Sequence, residues 1–271
     1  MTSKESRELQ SSGYVLANGL QIYYESVGSG KPLVLLHGGT LTLQMWNDLL
    51  PQFSPHFKVI MIDSRGHGKT NNPSGQITYR LMADDVAEFI REAGLEKPLI
   101  CGFSDGGQIG LELGMNYPGV AQAYVLGGVY GKLTERVKLK IAEMGIEGSG
   151  LVNFEYIRSH MPGVAEYWKA SHAQEDDPER WQTLLRQLSE CWWAPLGYTQ
   201  NDYQRIHEPT LIILGDRDEF ITVEEAALMY GQLPNAELAV IPNANHMQAI
   251  GSESVFTRIA IDYLKRRSSS Y

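Results

Sequence analysis

Residues Pro98-Leu99-Ile100-Cys101-Gly102-Phe103-Ser104-Asp105-Gly106-Gly107 decide the reading of this chain. The first five form a short apolar run of the kind buried on both faces of a parallel sheet. From about Asp105 to Tyr117 the pattern turns helical. Between the two lies Gly102-x-Ser104-x-Gly106, a G-x-S-x-G sequence in the strand-to-helix setting that this motif requires. The reason is steric. A serine on so tight a turn is held in a strained backbone, and a glycine on each side leaves room for it to pack. Its hydroxyl then projects above the sheet, and the helix N-terminus behind it favours developing negative charge.

Strand and helix signals alternate on either side of this turn. Leu20 to Val27, Pro32 to Leu36, Phe57 to Ile62 and Ala121 to Leu126 read as strands. Tyr79 to Ala93 reads as a helix with Thr78 as N-cap, Gly94 as its stop and Leu81, Met82, Val86, Phe89 and Ile90 at helical spacing. The rhythm breaks between Val129 and His207, where the pattern is helical but irregular. One helix there is predicted with Asp177 as N-cap, Pro178 at its first position and a stripe of Trp181, Leu184, Leu185, Leu188 and Trp192. Alternation resumes with strands Thr210 to Leu214 and Leu238 to Ile241, a Thr222/Glu225 capping box, and a last helix from about Glu253 to Leu264. The pattern predicts an α/β fold with a mostly parallel sheet covered by helices on both faces. Residues 1–128 and 208–271 form its core, and residues 129–207 form a helical insertion.

The 271 residues carry 32 acidic and 23 basic side chains, a net charge of -9. An acidic surface repels phosphate backbones and anionic headgroups, which argues against nucleic-acid and membrane partners. Hydrophobic residues at 43% suffice for one substantial core. The two cysteines, Cys101 and Cys191, make neither a disulfide framework nor a metal site. Met1 to Glu8 is polar and lacks the apolar core of a signal peptide, so the expected location is cytoplasmic. No sequence feature sets an oligomeric state.

A serine hydroxyl is a poor nucleophile until a base removes its proton. Chains with this elbow place an acid and then a histidine after late strands. His246, in Pro242-Asn243-Ala244-Asn245-His246, directly follows the strand ending at Ile241. His37 and His67 belong to glycine turns, and His56, His160, His172 and His207 follow no late strand. After Thr210 to Leu214, the turn Gly215-Asp216-Arg217-Asp218-Glu219 offers three carboxylates, and the pattern alone leaves the choice among them open.

From about Gly19 to Leu264 these motifs resemble the α/β-hydrolase superfamily. The stretch TYRLMADDVAEFIREAGLEKPLICGFSDGG is similar to valacyclovir-hydrolase-like esterases and to acyl-homoserine-lactone lactonases. The resemblance implies Asp218 as the triad acid, with Asp216 as the rival. It implies an oxyanion hole made by the backbone N–H groups of Gly39 and Asp105, and catalysis without metal or cofactor. It reads Asp63-Ser64-Arg65-Gly66-His67-Gly68 as a structural turn. For the Asp105 side chain it leaves two roles open: stabilising the helix N-terminus, or meeting a cationic amine on the substrate. The implied activity is hydrolysis of a small hydrophobic carboxylic ester, or alternatively of a lactone. A cofactor-free perhydrolase and a non-enzymatic ligand receptor are the remaining readings on the same scaffold.

Two decoys fail. Gly66-His67-Gly68-Lys69-Thr70 resembles the end of a phosphate-binding loop, but that loop needs glycine where Asp63 stands, and no histidine pair has HExxH spacing. The insertion holds Trp168, Trp181, Trp192 and Trp193. As a lid over the serine, it suits an apolar substrate group. Trp181 and Trp192 are expected to pack within it. Trp193, off their stripe, and Tyr130 are the candidates to face the pocket.

Overall fold

A computed structural model describes residues 10–251 and 255–268. The chain opens with β1 (Ser11–Ala17), β2 (Leu20–Val27) and β3 (Pro32–Leu36), then α1 (Leu50–Phe53), β4 (Lys58–Ile62) and α2 (Tyr79–Glu92). The elbow joins β5 (Leu99–Phe103) to α3 (Asp105–Asn116), and β6 (Ala123–Gly127) follows. Next come α4 (Glu135–Glu143), the short hairpin β7 (Ile146–Gly148) and β8 (Leu151–Val152), α5 (Phe154–His160), α6 (Pro162–His172), α7 (Arg180–Trp193) and α8 (Gln200–Tyr203). The core resumes with β9 (Thr210–Gly215), α9 (Val223–Gln232), β10 (Ala236–Ile241), α10 (His246–Ala249) and α11 (Phe256–Ser268).

Eight strands form one sheet in the order β1-β2-β4-β3-β5-β6-β9-β10. Pairing is parallel from β4 to β10, and antiparallel for β1 with β2 and β2 with β4. The apolar runs are continuous because successive side chains enter two different cores. Leu33 and Leu35 of β3 pack with Leu211 and Ile213 of β9 on one face, beside α11 residues Phe256, Ala260 and Tyr263. Val34, Leu36, Ile212 and Leu214 face the other way, toward α2 residues Met82, Val86 and Phe89. That second core extends without a break into the segment between β6 and β9, through Val137, Ile141, Trp168, Trp181, Leu184 and Leu188.

Local signals account for several boundaries. Thr78 accepts a hydrogen bond from the Leu81 amide and starts α2, and Gly94, at φ 63, follows its end. Thr222 and Glu225 form a reciprocal capping box at α9. Four expectations need correction or addition. The helix carrying the tryptophan stripe begins at Arg180, not at Pro178, because Asp177 exchanges backbone hydrogen bonds with Gln174 and its carbonyl receives the Arg180 amide in a turn. β1 has no counterpart in the predicted elements, and the segment 129–207 contains a hairpin as well as helices. The last described helix begins at Phe256 and continues past Leu264 to Ser268, whereas Glu253 lies outside the described residues, as do Met1 to Glu8. No helix among the described residues is long and apolar enough to cross a membrane.

Candidate active site

Ser104 sits between β5 and α3 with φ 55 and ψ -120, a conformation that side chains rarely adopt. Packing enforces it. A Cβ on Gly102 would lie 2.1 Å from the Gly106 carbonyl oxygen, and one on Gly106 would lie 2.1 Å from that of Leu36. The elbow therefore closes only with glycine at both places. The Ser104 amide donates to Gly127 O at 2.8 Å, which ties the turn to β6.

His246 opens α10, after β10, and Asp218 lies in the turn after β9. The Asp218 carboxylate accepts from His246 Nδ1 at 2.7 Å, and both side chains are almost fully buried. Its other oxygen accepts the amides of Phe220 (2.9 Å) and Ile221 (3.2 Å), so this turn delivers an oriented carboxylate to the ring. Asp216 instead accepts the Ala244 amide at 3.2 Å, and Glu219 accepts the His246 amide at 2.8 Å. The three carboxylates thus divide the work: two fix the histidine loop and one reaches the imidazole. Phe103 and Phe220 flank that ring, each with its centroid 4.8 Å away. Gly128 permits this placement, since a Cβ there would meet His246 Cε1 at 2.6 Å.

Ser104 and His246 line one cavity of about 200 Å³ together with Gly38, Gly39, Asp105, Tyr130, Ile141, Met144 and Trp192. No lysine or arginine is among the residues lining it. A Cβ on Gly38 would approach Ser104 Cβ to 3.3 Å, which places the turn after β3 directly against the serine. No acceptor among the described residues takes the amide of Gly39 or of Asp105. Those two N–H groups can therefore serve an incoming oxygen.

Tyr130 lines the cavity, but Trp193 does not. Trp193 lies half-buried, with the Lys138 ammonium 6.0 Å from its ring centre. Trp192 takes the expected place, because its indole N–H donates to Asp105 Oδ2 at 2.8 Å and turns the ring into the cavity wall. Tyr79, absent from the sequence-based candidates, donates to the other oxygen of Asp105 at 2.8 Å. No local pattern reports a contact between residues 26 or 87 positions apart. Burial pushes the Asp105 carboxyl up to about 6, against the bonds from Trp192 and Tyr79 that hold it lower.

The glycine turn after β4 is a structural knot. Asp63 accepts the amides of Leu43 and Lys69, each at 2.9 Å, and burial raises its pKa. The rings of His37 and His67 meet at a tilt, 4.9 Å between centroids, and those of His67 and His172 meet edge to face at 5.7 Å. All three are held neutral by burial, His37 and His172 each at about 4. Among the described residues no group of three or more histidine, cysteine or acidic side chains is arranged to hold a metal ion.

An open, mostly parallel sheet with a serine elbow after β5 and acid and histidine turns after β9 and β10 is the α/β-hydrolase fold. Residues 31–143 match the family model described as alpha/beta hydrolase fold. The fold of the chain is that of the α/β hydrolases. The chain is 24% identical over 283 residues to a 2-hydroxy-6-oxo-6-(2'-aminophenyl)hexa-2,4-dienoic acid hydrolase of Metapseudomonas resinovorans, covering 98% of this chain and 95% of the relative. It is 28% identical over 248 residues to a pimeloyl-[acyl-carrier protein] methyl ester esterase of Nitrosospira multiformis, covering 84% and 92%. Among solved structures, the meta-cleavage product hydrolase from Pseudomonas fluorescens superimposes with a TM-score of 0.74 at 22% identity, over 95% of this chain and 98% of that one. The relatives are hydrolases of this fold.

Proposed function

We propose that the protein is a serine hydrolase of small, neutral, apolar carboxylic esters. The observation that carries this reading is the buried Asp218–His246 bond beside Ser104 in an apolar cavity. Ser104 Oγ attacks the carbonyl carbon while His246 Nε2 takes its proton. The amides of Gly39 and Asp105 hold the oxyanion, and Asp218 keeps the Nδ1–H tautomer and balances the imidazolium. Collapse of the tetrahedral adduct breaks the ester bond, and the leaving alkoxide takes the proton from His246. Water then attacks the acyl-enzyme with His246 again as base, releasing the acid and Ser104. Residues 129–207 act as the lid, closing the cavity with Ile141, Met144 and Trp192.

A lactone is the second reading, since ring opening uses the same steps and the same neutral carbonyl. A dienoic acid, the substrate named for the Metapseudomonas relative, brings a carboxylate into the cavity. A buried carboxylate needs a cation or several donors, and the lining offers no lysine or arginine. The test is a steady-state screen of p-nitrophenyl esters of rising acyl length, N-acyl homoserine lactones and a ring-cleavage dienoic acid. Continuous turnover of neutral esters supports the proposal. Preference for the dienoic acid, or one burst followed by a stall, refutes it.

A further inference from the structure

Asp105 is buried on the cavity wall, yet no cation pairs with it among the described residues. Its partners are neutral: the Tyr79 hydroxyl and the Trp192 indole N–H, both at 2.8 Å. Three elements therefore meet on one carboxylate, α2 through Tyr79, α3 through its own backbone, and α7 of the lid through Trp192. The turn after β3 meets it as well. A Cβ on Gly39 would lie 2.4 Å from Asp105 Oδ2 and 2.5 Å from Trp192 Cζ2. The carboxylate and the indole thus pack together against the backbone of Gly39. Both amides assigned to the oxyanion hole border this contact, one on Asp105 itself and one on Gly39.

We propose that Trp192 of the lid, packed with Asp105 against Gly39, is a positioning residue whose indole N–H offsets the Asp105 charge beside the oxyanion hole. The inference rests on the reading of Ser104 as nucleophile. Each oxygen already accepts one hydrogen bond from the fold, one from Tyr79 and one from Trp192. Its charge also has a cost, because a carboxylate near the oxyanion opposes the negative charge that develops there. The two donors offset that charge. Removing the indole N–H leaves the carboxylate less compensated beside the oxyanion, which affects the transition state more than the bound ester.

The pair can be separated chemically. Trp192→Phe keeps an aromatic ring and removes the donor. Asp105→Asn removes the charge, and its amide oxygen still accepts from the indole. Its NH₂ group donates to the Tyr79 hydroxyl, which can accept as well as donate. The experiment is a double-mutant cycle on kcat, KM and melting temperature for one neutral ester, with the Ki of an alkylboronic acid as tetrahedral-adduct probe. Trp192→Phe is expected to lower kcat about tenfold, weaken boronate inhibition in step and leave KM within about threefold. Adding Asp105→Asn to Trp192→Phe is expected to recover most of that loss, while Asp105→Asn alone has a small effect. Equal effects of Trp192→Phe with and without Asp105→Asn overturn the proposal. So does a change confined to KM or to melting temperature. A wild-type protein that neither hydrolyses esters nor binds the boronate overturns the reading of Ser104 and the inference with it. Turnover by the wild type with an additive cycle overturns the inference alone.

Discussion

The Asp218 carboxylate accepts a 2.7 Å hydrogen bond from His246 Nδ1 across 28 residues of sequence, and both groups are shut off from solvent. This bond fixes the tautomer that leaves Nε2 free to take a proton. Two further amide donors hold the carboxylate, so it cannot rotate away from the ring.

Asp218→Asn is expected to lower kcat by about 10⁴-fold, because an amide neither selects that tautomer nor balances an imidazolium. Asp216→Asn retains an acceptor for the Ala244 amide. It is expected to cost no more than about 1 kcal/mol of stability and leave kcat within about tenfold. Steady-state kinetics of the two purified variants decide the matter, and the reverse order would reassign the acid.

Ser104→Ala is expected to remove at least about 10³-fold of kcat while the melting temperature stays within a few degrees, since the hydroxyl makes no hydrogen bond to another described residue. Retention of more than about a tenth of the activity contradicts the assignment.

Most of the sheet is legible from sequence because its strands are short apolar runs that must be covered on both faces, as in Pro32–Leu36 and Thr210–Gly215. Ser104 is legible because the elbow's demand for glycine at 102 and 106 is a local steric fact. β1 escapes notice because it is a half-exposed edge strand, although Asn18 and Gly19, at φ 49 and 74, carry an Asn-Gly hairpin signal. Trp192 and Trp193 are adjacent and equally aromatic. Only the position of Asp105 in three dimensions distinguishes the one that meets the cavity. The same holds for Tyr79, whose hydroxyl has no local partner and is read from sequence only as the first residue of a helix.

Gly106→Ala tests whether packing closes the elbow. The added Cβ would meet the Leu36 carbonyl at 2.1 Å and that of His37 at 2.7 Å, and neither backbone atom can yield without moving the turn that carries Gly39. A stability loss of about 3 kcal/mol, the upper end for overpacking, is expected, with a fall in kcat. Gly231→Ala in α9 is the control, since nothing lies within 4 Å of its added Cβ, and it is expected to stabilise by about 0.5–1 kcal/mol. Chemical denaturation of both variants separates them, and equal midpoints would remove the steric account.

His172 gives the fold an acid limit. From α6 it accepts the Gly68 amide at Nδ1 (3.0 Å) and donates from Nε2 to the Thr40 carbonyl (2.9 Å), which requires a neutral ring. Burial lowers its pKa to about 4, from an ordinary value of 6.5. Between those values the unfolded chain binds a proton that the folded chain refuses, so stability falls as pH drops from 6.5 toward 4. The contribution is full above 6.5, and its loss amounts to about 3 kcal/mol by pH 4. His37, lowered to about 4 for the same reason, adds a parallel loss. His172→Gln preserves one acceptor and one donor but cannot titrate. It is expected to make the decline in unfolding free energy between pH 6.5 and 4 shallower by about 3 kcal/mol, with stability near pH 7 lowered by no more than about 2 kcal/mol. Urea denaturation at a series of pH values measures both quantities. An unchanged acid slope in the variant would show that the ring is not held neutral by its burial between α6 and the turns at Thr40 and Gly68.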